Sequence, residues 1–385
     1  MNVAKTILHI HQDFPDGRPY PSTKAVAQLI KASQENNNQI KHLVISINRT
    51  SNPFRVSFKR FEHGYSLVYW CLPINFFYSI AIYFWALVLV RLLSKEKFEI
   101  VHAHKLTTEG MFAYFISSKL KVNYVCSIRG GSDLHNLNKY KICSKYLFKK
   151  VFLNAKILYW VSPWAKNSIK QYMINSTDAK EFSLPNIVSV DSIEPTLDAH
   201  LKQGISTIVS FHQYERKGLF TLIDAIKALN DKGKALTLSI IGSGDNATTS
   251  LIQTYINSLS LDSQVELVGQ LPNNLVLKKL KFSKIFVLPA KQETFGMCYV
   301  ESIACGTPFI QIANTGVDGF FEEPNTNIKI SNQDVVECAA AIESMLDNYE
   351  QYILGLSDYY NSGKISNFTS TTVSTSYLNS MNTYA

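Results

Sequence analysis

Short apolar runs alternate with longer segments of helical periodicity along the chain. The runs 6–10, 41–46 and 285–289 have the length of strands, and the segments 219–229 and 335–346 place apolar residues at helical spacing. Strands that alternate with helices favour parallel sheets covered by helices on both faces. The pattern therefore predicts an α/β fold.

Residues 290–310 form the most informative stretch of the sequence. They follow the apolar run 285–289 and continue as a predicted helix that ends at Gly306, before a second strand at 308–312. The right-handed crossover of such a unit places the loop 291–295 at the carboxyl end of the first strand. Open α/β sheets bind ligands at this edge, so we expect a binding site in the loop.

Four residues in and after this loop suit a ligand with hydroxyl and phosphate groups. Gly296 lets a ligand approach the backbone, and the amides of the first helical turn offer an anion site. Glu293 in the loop and Glu301 one turn into the helix, beside Met297, provide acceptors for sugar hydroxyls. The alternative is that Glu293 only favours the helix N-terminus electrostatically and that Glu301 is a solvated helix residue.

The whole string is more specific than its parts. Glu-Thr-Phe-Gly, four further residues, Glu and then Ala-Cys-Gly-Thr-Pro resembles the nucleotide-sugar motif of the retaining glycosyltransferases of family 4. The resemblance implies that Glu293 contacts the donor sugar and that the amides of Phe295 and Gly296 meet sugar and phosphate. It also implies that Glu301 holds the ribose hydroxyls, with Met297 in the same nucleotide site. The fold it implies is the GT-B architecture, two Rossmann-like domains facing across a cleft.

The resemblance extends over nearly the whole chain and divides it. It implies an N-terminal acceptor-binding domain at 1–190 and a C-terminal nucleotide-sugar-binding domain at 205–360. Residues 188–204 lack clear periodicity, which suits a linker between the two domains. We expect the segment 361–385 to pack back on the N-terminal domain.

Three candidate site residues lie in the expected acceptor domain. Gly17 stands in the turn-rich loop 12–21, where family members carry a glycine-rich loop near the reacting sugar. His104 ends a string similar to the family's Asp-Val-Val-His-Ala-His, and Arg129 stands where the family places a residue near the donor sugar. The alternatives are a plain surface turn, a packing histidine and a solvated arginine.

The second domain carries a group of candidate cations before its first helix. Family members place an arginine and a lysine here that neutralise the donor pyrophosphate. Lys217 matches the lysine, whereas His212 occupies the arginine position and is only partly cationic at neutral pH. Arg216, next to Lys217, is expected to compensate if its side chain points inward. The alternative is an ordinary charged turn.

The net charge of +8 allows nucleic acid, an anionic membrane surface or anionic substrates as partners. No nucleic-acid-binding motif accompanies the charge, so nucleic acid is not expected. Lysines and aromatic residues interleave over 139–152, which suits anionic lipid headgroups or, alternatively, a solvated helix face. Residues 76–90 are strongly apolar but shorter than the roughly twenty residues that span a bilayer, so we expect a buried helix.

Other motifs bear on cofactors and location. The six cysteines include no Cys-x-x-Cys pair, which indicates reduced thiols rather than a zinc site. Without a Gly-x-Gly-x-x-Gly or an Asp-x-Asp string, we expect no cofactor, neither a nicotinamide nor a metal clamp. The chain start runs into a strand without a signal-peptide core, which favours a cytoplasmic location. Peripheral attachment to the inner face of the plasma membrane is a further expectation.

The expected activity is sugar transfer from a nucleotide-diphosphate donor to a hydroxyl, with retention at the anomeric carbon. Family and charge together favour a polysaccharide or lipid-linked oligosaccharide acceptor, such as lipopolysaccharide or capsule. Two alternatives stay open. One is a nucleotide-sugar epimerase on the same fold, and the other is a binding-only homologue without turnover because His212 replaces an arginine.

Overall fold

The computed structural model divides the chain into two units, residues 1–187 with 370–385 and residues 188–369. Residues 188–204, which the sequence predicts as a linker, belong to the second unit, and so do residues 361–369 of the predicted C-terminal segment. The described residues are 5–18, 23–72, 75–139, 142–173, 177–190 and 193–382.

An eight-stranded sheet with helices on both faces forms the described part of the first unit. Its strands are β1 Thr6–His11, β2 Lys41–Thr50, β3 Ser57–Phe61, β4 Gly64–Trp70, β5 Ile100–Ala103, β6 Asn123–Ile128, β7 Ile157–Trp160 and β8 Lys180–Ser183. Within residues 1–187 its described helices are α1 Ala25–Asn36, α2 Asn75–Leu92, α3 Thr108–Leu120, α4 Gly131–Lys139, α5 Ile142–Asn154 and α6 Pro163–Lys170. The strand order is β3-β4-β2-β1-β5-β6-β7-β8, and neighbours pair in parallel except β3 and β4.

The central strand β1 is buried on both faces of this sheet. Leu8 and Ile10 belong to the core that includes α2, α3 and α5, whereas Ile7 packs with residues of α1. Because side chains alternate along a strand, His9 and His11 share the face of Ile7, and both are buried. Polar side chains inside a core require hydrogen-bond partners, which the folded chain must supply.

The sequence predicts a buried helix at 76–90. The structure has the helix, but only one of its sides is buried. Ile82 and Leu89 in α2 are fully buried in the core. On the opposite side of the helix, Phe77 and Phe84 are 57% and 56% exposed. In the part of the chain that the structure describes, no helix combines the length and apolar character needed to span a bilayer.

The second unit contains a six-stranded parallel sheet in the order β11-β10-β9-β12-β13-β14. Its described strands are β9 Ile205–Ile208, β10 Leu238–Ile241, β11 Val265–Gly269, β12 Ile285–Leu288, β13 Phe309–Ile312 and β14 Asn327–Ile330. Its described helices are α7 Leu219–Asp231, α8 Asn246–Ser258, α9 Asn273–Phe282, α10 Met297–Ala304, α11 Val335–Asp347 and α12 Tyr349–Asn361. The prediction of an α/β chain with two parallel-sheet domains is confirmed.

After α12 the chain contributes one more helix to the first unit, α13 Ser370–Asn382, which packs beside α1. Tyr377 of this helix is fully buried, and its hydroxyl lies 2.9 Å from Nδ1 of His102 in β5. The hydroxyls of Tyr159 and Ser380 are 2.6 Å apart. Helix α13 therefore supplies hydrogen bonds to polar side chains on the sheet face that it covers.

Candidate functional site

Two loops at the carboxyl edge of the second sheet are joined to each other. Strands β9 and β12 are neighbours, so the loops that follow them lie side by side. The side-chain amide of Gln333 donates to the backbone oxygens of Arg216 at 3.0 Å and of Pro289 at 2.8 Å. The backbone nitrogen of Lys291 also donates to Arg216, at 2.8 Å. These hydrogen bonds hold the backbones of the two loops next to each other, so their side chains meet.

A cluster of one acid and two cations occupies this place. The Nζ of Lys217 donates to Oε2 of Glu293, and Nη1 of Arg216 lies 4.0 Å from the same oxygen. The side chains of Lys217 and Glu293 are 15% and 12% exposed, so the pair is shielded but reachable. A hydrogen bond of 2.9 Å from the backbone nitrogen of Gly316 holds the Glu293 carbonyl. The structure thus brings together three residues that the sequence proposes for the donor site.

Gly296 starts α10 directly beside this cluster. Its φ of 72° lies in the left-handed region, where glycine is favoured. A Cβ at this position would lie 2.6 Å from the ring of Tyr299, so a larger residue would displace that ring. The helix N-terminus next to the two cations is a favourable position for an anion. Met297, the first residue of α10, is partly buried there.

Phe295 and Glu301 present different groups to the site. The ring of Phe295 is buried, with centroids 5.9 and 6.1 Å from those of Phe320 and Phe368, so only its backbone is available to a ligand. Glu301 is partly buried in α10, and burial raises the pKa of its carboxyl. Among the described residues its carboxylate has no ion-pair partner, in contrast to Glu293. Glu301 is therefore an acceptor that a ligand hydroxyl can use.

His212 lies in a separate short turn and faces another residue. Its Nδ1 is 3.7 Å from the carboxylate of Asp245, and both side chains are 59% exposed. Asp245 caps α8, because its Oδ1 accepts a hydrogen bond of 2.7 Å from the backbone nitrogen of Thr248. The structure places Arg216, rather than His212, next to Glu293. The role of His212 stays a prediction. No sequence motif pointed to Asp245 or Gln333.

In the first unit, Arg129 and His104 lie together at the carboxyl edge of the sheet. The Nε of Arg129 donates to the backbone oxygen of His104 at 3.1 Å, and Nη1 donates to Oδ1 of Asn186 at 3.2 Å. Arg129 is therefore held by hydrogen bonds, not freely solvated. His104 is fully buried. Gly17 lies in an exposed turn with open space around it, and residues 19–21 of the predicted loop lie outside the described residues.

Two buried carboxylates near these residues were missed at the sequence level. Oε1 of Glu109 in α3 accepts a hydrogen bond of 2.8 Å from the backbone nitrogen of Gln12. The same oxygen lies 3.2 Å from Nδ1 of His11 and 3.7 Å from Nζ of Lys105. Burial alone raises the pKa of Glu109, but these partners outweigh burial and lower it. The sequence contained no signal for this residue, because a single glutamate in a helix forms no motif.

Asp133, the second missed carboxylate, links two loops of the first sheet. Its Oδ1 accepts from the backbone nitrogen of Leu106 at 3.0 Å, and its Oδ2 accepts from that of Arg129 at 3.0 Å. Leu106 follows β5 and Arg129 follows β6. Burial raises the pKa of Asp133 to about 6 despite these donors.

Three imidazoles offer nitrogens close enough for one metal ion. Ring nitrogens of His9, His102 and His104 lie within 4.8 Å of one another, and burial lowers the pKa of each, which favours the neutral form that binds metals. Nδ1 of His9 is already paired with Nε2 of His104 at 2.9 Å, and both nitrogens of His102 have hydroxyl partners. A metal would have to displace these hydrogen bonds, so the arrangement fits a hydrogen-bonded cluster better.

Residues 198–353 match the sequence model of the family glycosyl transferases group 1. An uncharacterized glycosyltransferase of Methanocaldococcus jannaschii is 24% identical over 242 residues, which cover 61% of this chain and 64% of that protein. The putative teichuronic acid biosynthesis glycosyltransferase TuaC of Bacillus subtilis is 24% identical over 58% of this chain and 55% of its own. The chain thus matches less than two thirds of the length of either relative. The residues that match this family model include the whole Lys217–Glu293 cluster and α10.

Solved structures resemble the whole chain in fold. Sucrose-phosphate synthase from Thermosynechococcus elongatus has a TM-score of 0.73 at 16% identity, with 98% of each chain covered. HepE of Anabaena in complex with UDP has a TM-score of 0.71 at 13% identity, with 98% of this chain and 100% of that chain covered. At such identities the likeness concerns the fold alone, and that fold is GT-B.

Proposed function

We propose that the protein is a retaining glycosyltransferase that moves a sugar from a nucleotide-diphosphate donor to a hydroxyl of a saccharide acceptor. The observation that carries the proposal is the cluster of Lys217, Arg216 and Glu293 at the start of α10. A diphosphate at the helix N-terminus would take the place of the Glu293 carboxylate as the partner of the two cations. Glu293 would then be free to accept from a sugar hydroxyl.

Different residues of this site suit different groups of the donor. Glu301, one turn into α10, has no ion-pair partner among the described residues, so its carboxylate suits the ribose hydroxyls of the nucleotide. The amides at Phe295 and Gly296 suit the phosphate, since the buried Phe295 ring leaves its backbone available. Structures of HepE that bear UDP and UDP-glucose support a nucleotide-sugar donor for this fold.

Transfer requires that charge on the departing diphosphate be stabilised. Lys217 and Arg216 are preorganised for this, because the hydrogen bonds of Gln333 and Lys291 hold their loop before any ligand arrives. We propose that these cations, rather than a metal ion, supply the positive charge. For the acceptor we propose a polysaccharide or lipid-linked oligosaccharide, which the relative named for teichuronic acid biosynthesis supports.

The test begins with donor binding. UDP-, GDP- and ADP-sugars are titrated while thermal unfolding is followed, and the right donor raises the melting temperature by mass action. The Glu301→Gln variant should bind the same donor more weakly, and its melting temperature without donor should equal that of the parent. Equal binding by the variant would contradict the ribose role.

Product analysis then separates transfer from the two alternatives. With an acceptor present, the anomeric configuration of the product by NMR should match that of the donor. Isomerised sugar from donor alone would indicate an epimerase. Donor binding without product over a broad acceptor panel would indicate a binding-only protein.

A further inference from the structure

The outer side of α2 presents large apolar side chains to solvent. Phe77, Ile80 and Phe84 are 57%, 49% and 56% exposed, and their spacing of three and four residues places them on one side of the helix. Trp70 is 37% exposed, and its backbone oxygen accepts from Nε1 of Trp85 in α2 at 2.9 Å, so it lies beside the helix. We call Phe77, Ile80, Phe84 and Trp70 the apolar patch. Exposed groups of this kind mark interaction surfaces.

Helix α5 adds cations to the same layer of helices. Helices α2, α3 and α5 pack together over one face of the sheet, so their outer sides form one surface. On α5 Phe148 is buried, whereas Tyr146 on the opposite side is 62% exposed. The Nζ of Lys150 lies 4.8 Å from the centre of the Tyr146 ring, and Lys145 and Lys149 are partly exposed.

This surface is supplied by segments without acidic residues. Neither α2 nor α5 contains Asp or Glu. The sequence has no acidic residue between Glu62 and Glu96, and none between Asp133 and Asp178, where eight lysines occur. Lys166 and Lys170 pair with Glu181, whereas Lys145, Lys149 and Lys150 of α5 form no ion pair with a described acid. Apolar side chains on α2 together with such lysines in the same helix layer match the acyl boundary and the anionic headgroups of a lipid surface.

We propose that α2 docks the apolar patch into the surface of an anionic lipid bilayer, with the lysines of α5 on the headgroups. Trp70 and Tyr146 suit this position, because such side chains favour the boundary between headgroups and acyl chains. Helix α5 belongs to the basic segment 139–152 that the sequence proposes for lipid contact and is one half of this surface; residues 140 and 141 of that segment lie outside the described residues. The structure adds α2 as the half that enters the lipid.

Charge distinguishes a bilayer from a second copy of the chain. In a symmetric dimer the same surface lies on both sides of the contact, so lysines of one copy would approach lysines of the other. Neither α2 nor α5 contains an acid to offset them, and Glu109 of α3 is buried. Anionic lipid supplies the opposite charge over the whole contact.

The experiment is flotation of the full chain with vesicles of phosphatidylcholine, with or without phosphatidylglycerol at roughly a third of the lipid. We expect at least tenfold more binding with the anionic lipid. Ile80→Glu with Phe84→Glu should lower that binding at least tenfold, since both side chains are exposed and the fold does not need them. The matched control is Val336→Glu with Leu354→Glu, at side chains 77% and 66% exposed in the second unit, and it should bind like the parent.

A second pair of variants tests the lysines. Charge reversal of three α5 lysines should lower binding by roughly fivefold for each charge removed, and this loss should vanish at high salt. Reversal of three lysines elsewhere gives the same net charge and should have a much smaller effect. The α5 variant is Lys145→Glu, Lys149→Glu and Lys150→Glu, and the control is Lys31→Glu, Lys232→Glu and Lys278→Glu.

Tryptophan emission reports the position of the patch directly. Of the four tryptophans, Trp160 and Trp164 are only 3% and 5% exposed, whereas Trp70 lies in the patch and Trp85 beside it. Anionic vesicles should therefore shift the emission to shorter wavelength, and Trp70→Phe should reduce the shift while the protein still floats.

Three results would overturn the proposal. One is parental flotation of the Ile80→Glu, Phe84→Glu variant, and another is an equal loss in the control at Val336 and Leu354. The third is a dimer that this variant converts to a monomer with vesicle binding unchanged, which would assign the patch to a second copy. None of these measurements needs a sugar donor, so they are independent of the proposed transfer.

Discussion

The carboxyl edges of the two sheets hold charged groups in opposite ways. In the second unit, Lys217 and Glu293 are partly exposed and neutralise each other beside a helix N-terminus. In the first unit, Glu109 and Asp133 are fully buried and accept hydrogen bonds from backbone nitrogens of the loops around them. The first arrangement can exchange its partners for a ligand, whereas the second is part of the fold.

This difference follows from what each carboxylate holds. Asp133 joins the loops after β5 and β6 through Leu106 and Arg129, so its loss would leave buried donors without partners. Glu293 is held by the hydrogen bond of its backbone oxygen with Gly316, and its carboxylate contacts the charged ends of Lys217 and Arg216 rather than buried backbone nitrogens. Replacing the first should therefore damage stability, and replacing the second should damage binding and turnover.

The largest expected effect is on stability, from Asp133→Leu. Breaking a buried network of this kind costs roughly 3–5 kcal/mol. Urea unfolding followed by tryptophan fluorescence measures this loss in the first unit, because Trp70, Trp85, Trp160 and Trp164 all lie there.

The matched control for this prediction is Asp245→Leu. Asp245, the N-cap of α8, also accepts a backbone hydrogen bond but is 59% exposed and lies in the second unit, so its replacement should leave the tryptophan transition unchanged. A loss below about 1 kcal/mol for Asp133→Leu would show that its hydrogen bonds do not hold the two loops.

The next effect is on turnover, from Lys217→Met. Removing one preorganised donor to the departing diphosphate should lower kcat by roughly 10²–10³-fold. The tryptophan transition should not move, since Lys217 lies in the second unit. Lys227→Met is the control, because Lys227 is also paired with an acid, Asp231, but on the exposed side of α7. Near-parental turnover of Lys217→Met would transfer the role to Arg216.

The sequence predicts the second unit's site better than the first unit's, for a physical reason. Lys217 and Glu293 lie 76 residues apart, but each belongs to a short motif of adjacent residues that includes a glycine. The resemblance to the glycosyltransferase family therefore identifies both from the sequence. Glu109 and Asp133 gain their meaning only from amides that the fold brings to them, such as Gln12 from 97 residues away. Apolar composition likewise predicts the helix α2 but not which of its sides the fold leaves uncovered.

A smaller effect concerns pH and again separates the two units. Burial lowers the pKa of five histidines on the first sheet, to about 4 for His42. The unfolded chain therefore takes up protons first as the pH falls below about 6.5, and each histidine removes about 1.4 kcal/mol of stability per pH unit. This loss continues down to the folded pKa. The other four are His9, His11, His102 and His104.

Asp133 acts with the opposite sign. Its folded pKa of about 6 lies above the ordinary value, so the native state takes up a proton first as the pH falls from 6 to 4 and gains stability. The tryptophan transition should thus lose stability with the net slope of roughly four groups, about 5.4 kcal/mol per pH unit at most. His42→Gln should reduce the slope by about 1.4 kcal/mol per pH unit. A flat profile between pH 7 and 5 would contradict the neutral burial of these imidazoles.

The smallest expected effect is that of His212→Ala. The sequence places His212 where family members carry a phosphate-neutralising arginine, which predicts a loss as large as that of Lys217→Met. In the structure its ring faces Asp245 at 3.7 Å, with both side chains 59% exposed, and solvent screens pairs of this kind so that they contribute little. We therefore expect His212→Ala to lower kcat/KM less than about fivefold and Arg216→Ala to lower it more.

The pH profile of turnover decides between the two assignments of this charge. An imidazole that neutralises the diphosphate must be protonated, so activity would fall as the pH rises through neutrality, and His212→Arg would flatten the profile with a charge that does not titrate there. If Arg216 carries the charge, the profiles of the parent and of His212→Arg should coincide, because neither depends on the imidazole. A large loss in His212→Ala together with a flattened His212→Arg profile would mean that donor binding draws His212 away from Asp245 and toward the phosphate. The carboxyl edge of the second sheet would then be rearranged by its ligand, rather than formed before the ligand binds.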